Sequence, residues 1–255
     1  MSLIYQYTSL ETLALILANR TIKFNNLCNL DDPLEKYIKI QKLGNHHLEH
    51  KRENLGRYCF VSCWTRKKDE SIAMWDMYGD RKRGVRIGLP IDMFESINEL
   101  YSHPVMKQRA LFSTTPTQKN VKPDFIDVVY DRIDDPTILS GDWTIDIGNL
   151  GKYKIAEWAF QEECRFRIYA TVNDCGAKSY FVPSQLTSFP TIQISNPIDD
   201  DSLFLKINND ALSQIEIKAG PDMTEGNTIL LNALLDKYGV DHSRFSMSNL
   251  PHKND

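Results

Sequence analysis

Apolar and polar positions along this chain follow two different periods. Residues 3–7 form a short β-rich run, and Thr8 with Glu11 three residues later has capping-box spacing. Leu10, Leu13, Ala14 and Leu17 then recur at i, i+3, i+4 and i+7, which predicts an amphipathic helix fed by a strand. Residues 21–24 alternate as a strand, and residues 25–33 break the pattern with Asn, Asp and Pro33. Residues 34–57 are polar, rich in Lys and His and interrupted at Gly44, and they predict an exposed helical excursion.

Residues 58–64 and 84–89 predict strands with a short helix through Met77 between them, and Pro90 is placed to open a helix through Leu100. Residues 125–130 predict a strand, whereas residues 134–149 carry too many turn formers for a regular element. After a helix over 152–160, Cys164, Phe166 and Ile168 alternate with Arg165, Arg167 and Tyr169 as in a half-buried strand. Strands over 203–207 and 215–219, a Gly220-Pro221 break and a helix over 228–238 complete the pattern. It defines an α+β class: one domain over 1–255 with a central, partly split, mostly antiparallel sheet, flanking helices and long irregular insertions. A flexible C-terminal tail is expected over 249–255, and neither a linker nor a repeat divides the chain.

With 255 residues, 42% hydrophobic and 25% charged, the chain is long enough to bury a substantial core and is neither a disulfide-stapled miniprotein nor a disordered polymer. Five scattered cysteines and no basic, apolar leader predict a reduced cytoplasmic protein without a membrane span. The net charge of −4 hides an asymmetry: residues 1–110 hold 17 Lys/Arg against 13 Asp/Glu, and residues 111–255 hold 13 against 21.

Common nucleotide motifs are absent, since residues 84–88 lack both the third glycine of a dinucleotide fingerprint and a phosphate-loop lysine. His46, His47 and His50 read more simply as polar surface than as metal ligands, and Cys59 and Cys63 as ordinary thiols on one side of a strand. Asp31, Asp32 and Glu35, or Asp124, Asp127 and Asp131, could hold the metal of a nuclease or phosphodiesterase, though turn aspartates have plainer roles. The more informative grouping is Gln161 to Arg167. Strand alternation puts Glu163, Arg165 and Arg167 on one face, and the preceding turn brings Gln161 beside Glu163, making a polar edge able to hold a ligand. The plain alternative is an ion-paired edge strand. Tyr5, Gln6, Tyr7, Thr8, Ser62, Trp64, Trp75 and Tyr78 add polar handles on apolar bodies.

Six segments occur in one order: Ile4-Tyr5-Gln6-Tyr7-Thr8-Ser9, Asn29-Leu30-Asp31-Asp32-Pro33-Leu34-Glu35, Cys59-Phe60-Val61-Ser62-Cys63-Trp64, Met74-Trp75-Asp76-Met77-Tyr78-Gly79, Gly84-Val85-Arg86-Ile87, and Glu157-Trp158 through Glu163-Cys164-Arg165-Phe166. Together with Gly220-Pro221 and residues 245–248 they resemble a bacterial and phage family of poorly characterised proteins, over nearly the whole chain. That family in turn resembles a divergent branch of the ADP-ribosyltransferase fold. There a first-strand His or Arg touches the NAD ribose, a second-strand aromatic or Ser supports the nicotinamide side, and a later Glu stabilises the oxocarbenium-like centre.

The resemblance implies Glu163 and Gln161 as catalytic residues, with Tyr5, Gln6, Thr8, Ser62, Tyr78 and Arg165 as cofactor-binding residues and no metal. Gln6 stands where the family carries histidine. The implied activity is transfer of ADP-ribose from NAD to a protein or nucleic-acid acceptor, as a toxin or phage-defence effector. Two other classes stand beside it: a non-enzymatic macromolecule-interaction module, and a metal-dependent nuclease or phosphodiesterase.

Overall fold

The computed structural model describes residues 2–32, 34–43, 48–96, 109–112, 122–130, 138–140, 150–172, 181–182, 191–192 and 197–251. The chain begins with β1 (Leu3–Thr8), α1 (Leu10–Asn19) and β2 (Thr21–Asn26), and continues through β3 (Tyr37–Leu43), β4 (Leu48–Asn54) and β5 (Cys59–Thr65). After α2 (Ile72–Tyr78) come β6 (Val85–Pro90), β7 (Arg109–Phe112), β8 (Asp124–Asp127), β9 (Val129–Tyr130), β10 (Ile138–Ser140) and β11 (Tyr153–Lys154). A 3-10 helix, Ala156–Gln161, leads into β12 (Glu163–Val172), followed by β13 (Phe181–Val182) and β14 (Thr191–Ile192). The last part holds β15 (Ser202–Lys206), α3 (Asn209–Ser213), β16 (Glu216–Ala219), α4 (Glu225–Tyr238) and β17 (Phe245–Met247).

Ten of the described strands form one sheet along the path β15-β2-β5-β1-β6-β16-β17, with β12 on β5, and β7 and β8 on β12. The pairings are antiparallel except for β16 with β17. The α+β class and mostly antiparallel sheet expected from the sequence are therefore observed. Because side chains alternate across a strand, register sorts the sheet into two faces. Ile4, Phe24, Phe60, Trp64, Ile87, Phe166, Ile168, Leu205 and Ile217 share one face and pack with Leu13 and Leu17 of α1 and Leu231 and Leu235 of α4 in a single core. Each such side chain contributes roughly 1.5–3 kcal/mol on burial. Tyr5, Tyr7, Cys63, Arg86, Glu163, Arg165 and Lys218 fall on the opposite, polar face.

Several expectations are corrected. The helical excursion over 34–57 is instead the antiparallel pair β3–β4, in register from Tyr37↔Asn54 to Leu43↔Leu48, with β10 parallel to β3. Tyr37, Ile38 and Ile40 favour extended backbone, and sheet pairing overrides the weak helix preference of the surrounding Lys, Gln and Glu. Pro90 ends β6 rather than opening a helix: Phe94 bridges Ile207, and its ring is buried 5.3 Å from Phe24 and 4.8 Å from Phe166, so the core draws this segment out in extended form. Residues 97–100 lie outside the described residues, as do His46, His47 and Asp131. The helix over 152–160 is replaced by β11 and the 3-10 helix. Ser9, not Thr8, caps α1, accepting from the Thr12 amide, because Thr8 is still within β1. The start of the expected tail is tied down. The amide of Asn249 donates to Glu70 Oε1 at 3.0 Å, and the Ser248 hydroxyl donates to Glu70 Oε2. Together with Lys218 and Trp75 these donors overcome burial and hold the Glu70 carboxyl at about 2.

The turn after α2 runs through three left-handed residues, Asp80, Arg81 and Lys82, and docks on the Gly220 turn. At Gly84 a Cβ would fall 2.2 Å from the Thr8 carbonyl oxygen and 2.9 Å from Gly79 backbone, whereas at Gly226 in α4 it would meet nothing within 4 Å. Gly84→Ala should therefore cost about 3 kcal/mol, as overpacking against backbone that cannot yield. Gly226→Ala should add up to about 1 kcal/mol through helix propensity. Urea unfolding of the two variants beside the wild type measures both.

Candidate functional site

The site arises from how β5 is paired. One edge of β5 is taken along its whole length by β12, from Glu163↔Thr65 to Tyr169↔Cys59. Two strands therefore share the other edge. β2 meets its start, at Asn25↔Val61 and Asn26↔Phe60, and β1 meets its end, at Tyr5↔Thr65. Between them Ser62, Cys63 and Trp64 have no strand partner on that edge. The side-chain amide of Gln6 fills part of the gap, Nε2 donating to the Cys63 carbonyl at 2.9 Å. Where β1 and β2 diverge, a cleft of about 270 Å³ opens, lined among others by Tyr5, Gln6, Lys23, Asn25, Ser62 and Cys63.

Its other walls come from elements laid on the polar face. Helix α2 is fixed by Trp75, which is fully buried, donates from Nε1 to Glu70 at 3.0 Å and packs edge-on against Tyr7 at 4.8 Å. This places Tyr78 at the cleft, where its hydroxyl accepts from Gln161 Nε2 at 2.8 Å and reaches Asp31 Oδ2 at 3.4 Å. The 3-10 helix ends in Glu162 at φ 44°, a left-handed residue that turns the chain into β12 and brings Gln161 beside Glu163. Lys154, from β11, joins the two: its Nζ donates to Gln161 Oε1 at 2.6 Å and Glu163 Oε2 at 3.1 Å.

Glu163 lies at the junction of these groups. The Arg165 guanidinium grips it with Nε on Oε1 and Nη2 on Oε2, while Nη1 of the same guanidinium pairs with Glu35 and donates to the Gly151 carbonyl. The Glu163 amide donates to the Tyr130 hydroxyl at 2.7 Å. Burial alone would raise the Glu163 pKa, but Arg165, Lys154 and a hydrogen bond from Cys63 win and lower it to about 2. For Glu35 the balance is reversed: burial outweighs Arg165 and Lys154, and its pKa is raised. Its Oε1 has no hydrogen-bond partner and lies 3.7 Å from Lys154 Nζ. The Cys63 thiol is pushed well above its ordinary value by burial and by the charge of Glu163, so it serves as a donor and not a nucleophile.

The structure thus brings Tyr5, Gln6, Ser62, Tyr78, Gln161 and Glu163 to one cleft. Two expected cofactor-binding residues do not reach it. Thr8 is buried away from the lining, and Arg165 is fully buried outside it, with all three of its nitrogens engaged by two carboxylates and a carbonyl. The basic residues Arg81, Lys82 and Arg83 are also outside the lining. Sequence reasoning missed Lys154 as part of the site and offered Glu35 only as a metal ligand, not as the partner of Arg165. Among the described residues no three His, Cys, Asp or Glu side chains converge as a metal site: Asp32 is taken up by the Leu34 and Ile155 amides and Glu35 by Arg165. Also among them, no helix is long and apolar enough to cross a membrane. No family model matches the chain, and neither a curated protein nor a solved structure matches it.

The two carboxyls shape the pH dependence of stability in opposite senses. Glu163, depressed from 4.5 to about 2, contributes stability that is full above pH 4.5 and is lost as pH falls toward 2. Glu35, raised above 4.5, favours the fold most below pH 4.5 and loses that contribution as pH rises through its folded pKa. In chemical unfolding across pH 2–8, Glu163→Gln should shrink the acid limb by roughly 3 kcal/mol. Glu35→Gln should flatten the decline above pH 4.5.

Proposed function

We propose that the cleft binds NAD and that the chain transfers its ADP-ribose to a macromolecular acceptor, protein or nucleic acid, as a toxin or phage-defence effector. The observation that carries this reading is the divergence of β1 and β2 from one edge of β5. It opens a cleft lined by the first-strand residue Gln6, the second-strand residue Ser62, the aromatic Tyr78 and the carboxylate Glu163. These are the strand positions that the resemblance to ADP-ribosyltransferases implies, with Gln6 in place of the first-strand histidine.

The chemistry follows from the protonation states. When the bond between nicotinamide and ribose C1′ breaks, its electron pair leaves with nicotinamide and positive charge develops on the ribose. Glu163, ionised down to about pH 2 and only 7% exposed, offers a fixed carboxylate to that charge. The same low pKa makes it too weak a base to take the acceptor's proton, which goes to solvent. Its role is electrostatic, tempered by Lys154 and Arg165. Gln6, which stands in place of histidine, has an amide oxygen without a hydrogen-bond partner among the described residues, and this oxygen can accept from a ribose hydroxyl. Tyr78, whose pKa is raised chiefly by burial, stays a neutral hydroxyl beside an aromatic face.

One observation favours a second reading, a non-enzymatic interaction module: both oxygens of Glu163 are already held by cations. The two separate on nicotinamide release from NAD in the presence of cell extract as acceptor. ADP-ribosyl transfer predicts turnover that Glu163→Gln lowers at least about 100-fold, with NAD binding retained and no acid limb near neutral pH attributable to Glu163. Absence of both NAD binding and nicotinamide release in the wild type rejects the transferase. Partner capture that Glu163→Gln leaves intact then supports the module.

A further inference from the structure

A second cavity of about 370 Å³ lies on the polar face beyond the cleft, over β6, β16 and β17. Tyr5 lines both. Its room comes from Gly88, which faces Tyr5 on one side and Glu216 on the other: a Cβ there would meet the Tyr5 ring at 2.9 Å and Glu216 Cβ at 3.3 Å.

Arg86 is the unusual member of this lining. It is only 6% exposed, yet no carboxylate lies within salt-bridge distance of its guanidinium among the described residues. Nη1 donates to the Lys68 carbonyl at 2.9 Å, and the guanidinium carbon stands 4.6 Å from the Tyr5 ring centroid and 5.8 Å from that of Tyr7. Its other donors have no hydrogen-bond partner among the described residues. None of these nitrogens is sealed away as a buried unsatisfied atom, so they open onto the cavity, where an anion is the stronger partner for a cation held in a largely buried side chain. Arg165 on the same sheet face shows the usual solution, with two carboxylates on one guanidinium.

Across the cavity Arg244 donates from Nη1 to the Gln214 carbonyl at 3.1 Å and forms no salt bridge among the described residues. Asp241, its pKa lowered first by the Ser243 amide, also feels the Arg244 charge. Lys218 is already neutralised by Glu70 at 3.1 Å. Tyr5, its pKa raised by burial and by Glu216 against Arg86, remains a neutral donor. Among the described residues Glu216 is the single carboxylate in the lining and forms no salt bridge.

We infer that this cavity binds an oxyanion, the phosphate or carboxylate group of a small ligand. Arg86 and Arg244 supply the charge, Tyr5 and Ser246 supply neutral donors, and Glu216 limits the site to low anionic charge. The planar guanidinium fork of Arg86 suits either group. The charged groups of this site are separate from the NAD cleft, since Arg86, Arg244 and Glu216 do not line it, and the two cavities share the Tyr5 side chain.

The test is a titration of the wild-type protein with inorganic phosphate, followed by amide chemical shifts, against sodium chloride at matched ionic strength. Acetate runs as a parallel arm. Saturable shifts centred on residues 86, 216–218 and 243–246 are expected. Arg244→Gln should weaken the affinity about tenfold, the worth of one charge-assisted hydrogen bond, and Glu216→Gln should tighten it severalfold. Saturation by phosphate alone or by acetate alone supports the site and tells which group it takes. Shifts no larger than those with chloride in both arms overturn it, as does binding that Arg244→Gln leaves unchanged. Arg244 is on the cavity rim and outside the core, so its variant decides even if Arg86→Gln does not fold. No NAD enters the assay, and its failure is separate from failure of the transferase reading.

Discussion

Much of the polar face depends on the guanidinium of Arg165. It is fully buried, and it ties together three stretches distant in sequence: β12, which carries it and Glu163; the turn carrying Glu35; and the Gly151 turn ahead of β11. Isolated burial of such a charge is unfavourable by several kcal/mol. It is tolerated because the planar fork meets Glu163 through two nitrogens and still has a third for Glu35. An apolar substitute of equal volume could fill the space but would leave two buried carboxylates facing each other. The ion-pair group therefore fixes the position of the cleft floor more than it adds net stability, and Lys154, shared by Gln161 and Glu163, extends the same constraint to the 3-10 helix.

The second determinant is topological. A strand has two edges, and β12 uses one edge of β5 completely. The chain then asks β1 and β2, joined through α1, to share what is left. Each meets β5 over only one or two residues before turning to its own partner, β6 for β1 and β15 for β2. The gap is stabilised by apolar packing, where Trp64 and Phe166 lie edge to face, and by the amide of Gln6 on the Cys63 carbonyl. Unpaired edge backbone is normally a liability in a β protein. Here it is a short, inward-facing notch whose carbonyl is met by a side chain, which is how a ligand cleft can exist within a sheet.

How much of this could be read from the sequence follows from the range of each signal. The alternation from Glu163 to Tyr169 is local, and it placed Glu163, Arg165 and Arg167 on one face as observed. The turn that sets Gln161 beside Glu163 is also local. The amphipathic spacing of α1 and α4 was legible for the same reason. The pairing of Glu35 with Lys154 and Arg165 was not, because Glu35 is separated from them in sequence by more than a hundred residues and meets them only through the fold. Arg165 was misjudged as a ligand contact because alternation gives a residue's face and not what else is packed against it. The pair β3–β4 was read as helix because Lys, Gln and Glu carry weak helix preference, while the pairing that overrides it lies across the hairpin. Phe94 turned the segment after Pro90 away from a helix through contacts with Phe24 and Phe166, again from other parts of the chain.

Charge gives the same lesson more sharply. Counted along the chain, the first 110 residues are basic and the remainder acidic, which would place an anion-binding surface in the first part. On the folded sheet this division disappears. Lys154, Arg165 and Arg167 on the polar face come from the acidic part, as do Lys218 and Arg244 at the second cavity, while Arg86 comes from the basic part. Most of them are matched there by carboxylates: Lys154 and Arg165 by Glu35 and Glu163, Arg167 by Asp124, and Lys218 by Glu70. What distinguishes a ligand site from a structural ion pair on this face is therefore neither the density of cations nor their depth. It is whether the fold has already supplied the counter-ion, and by that criterion Arg165 belongs to the scaffold and Arg86 to a cavity that still requires an anion.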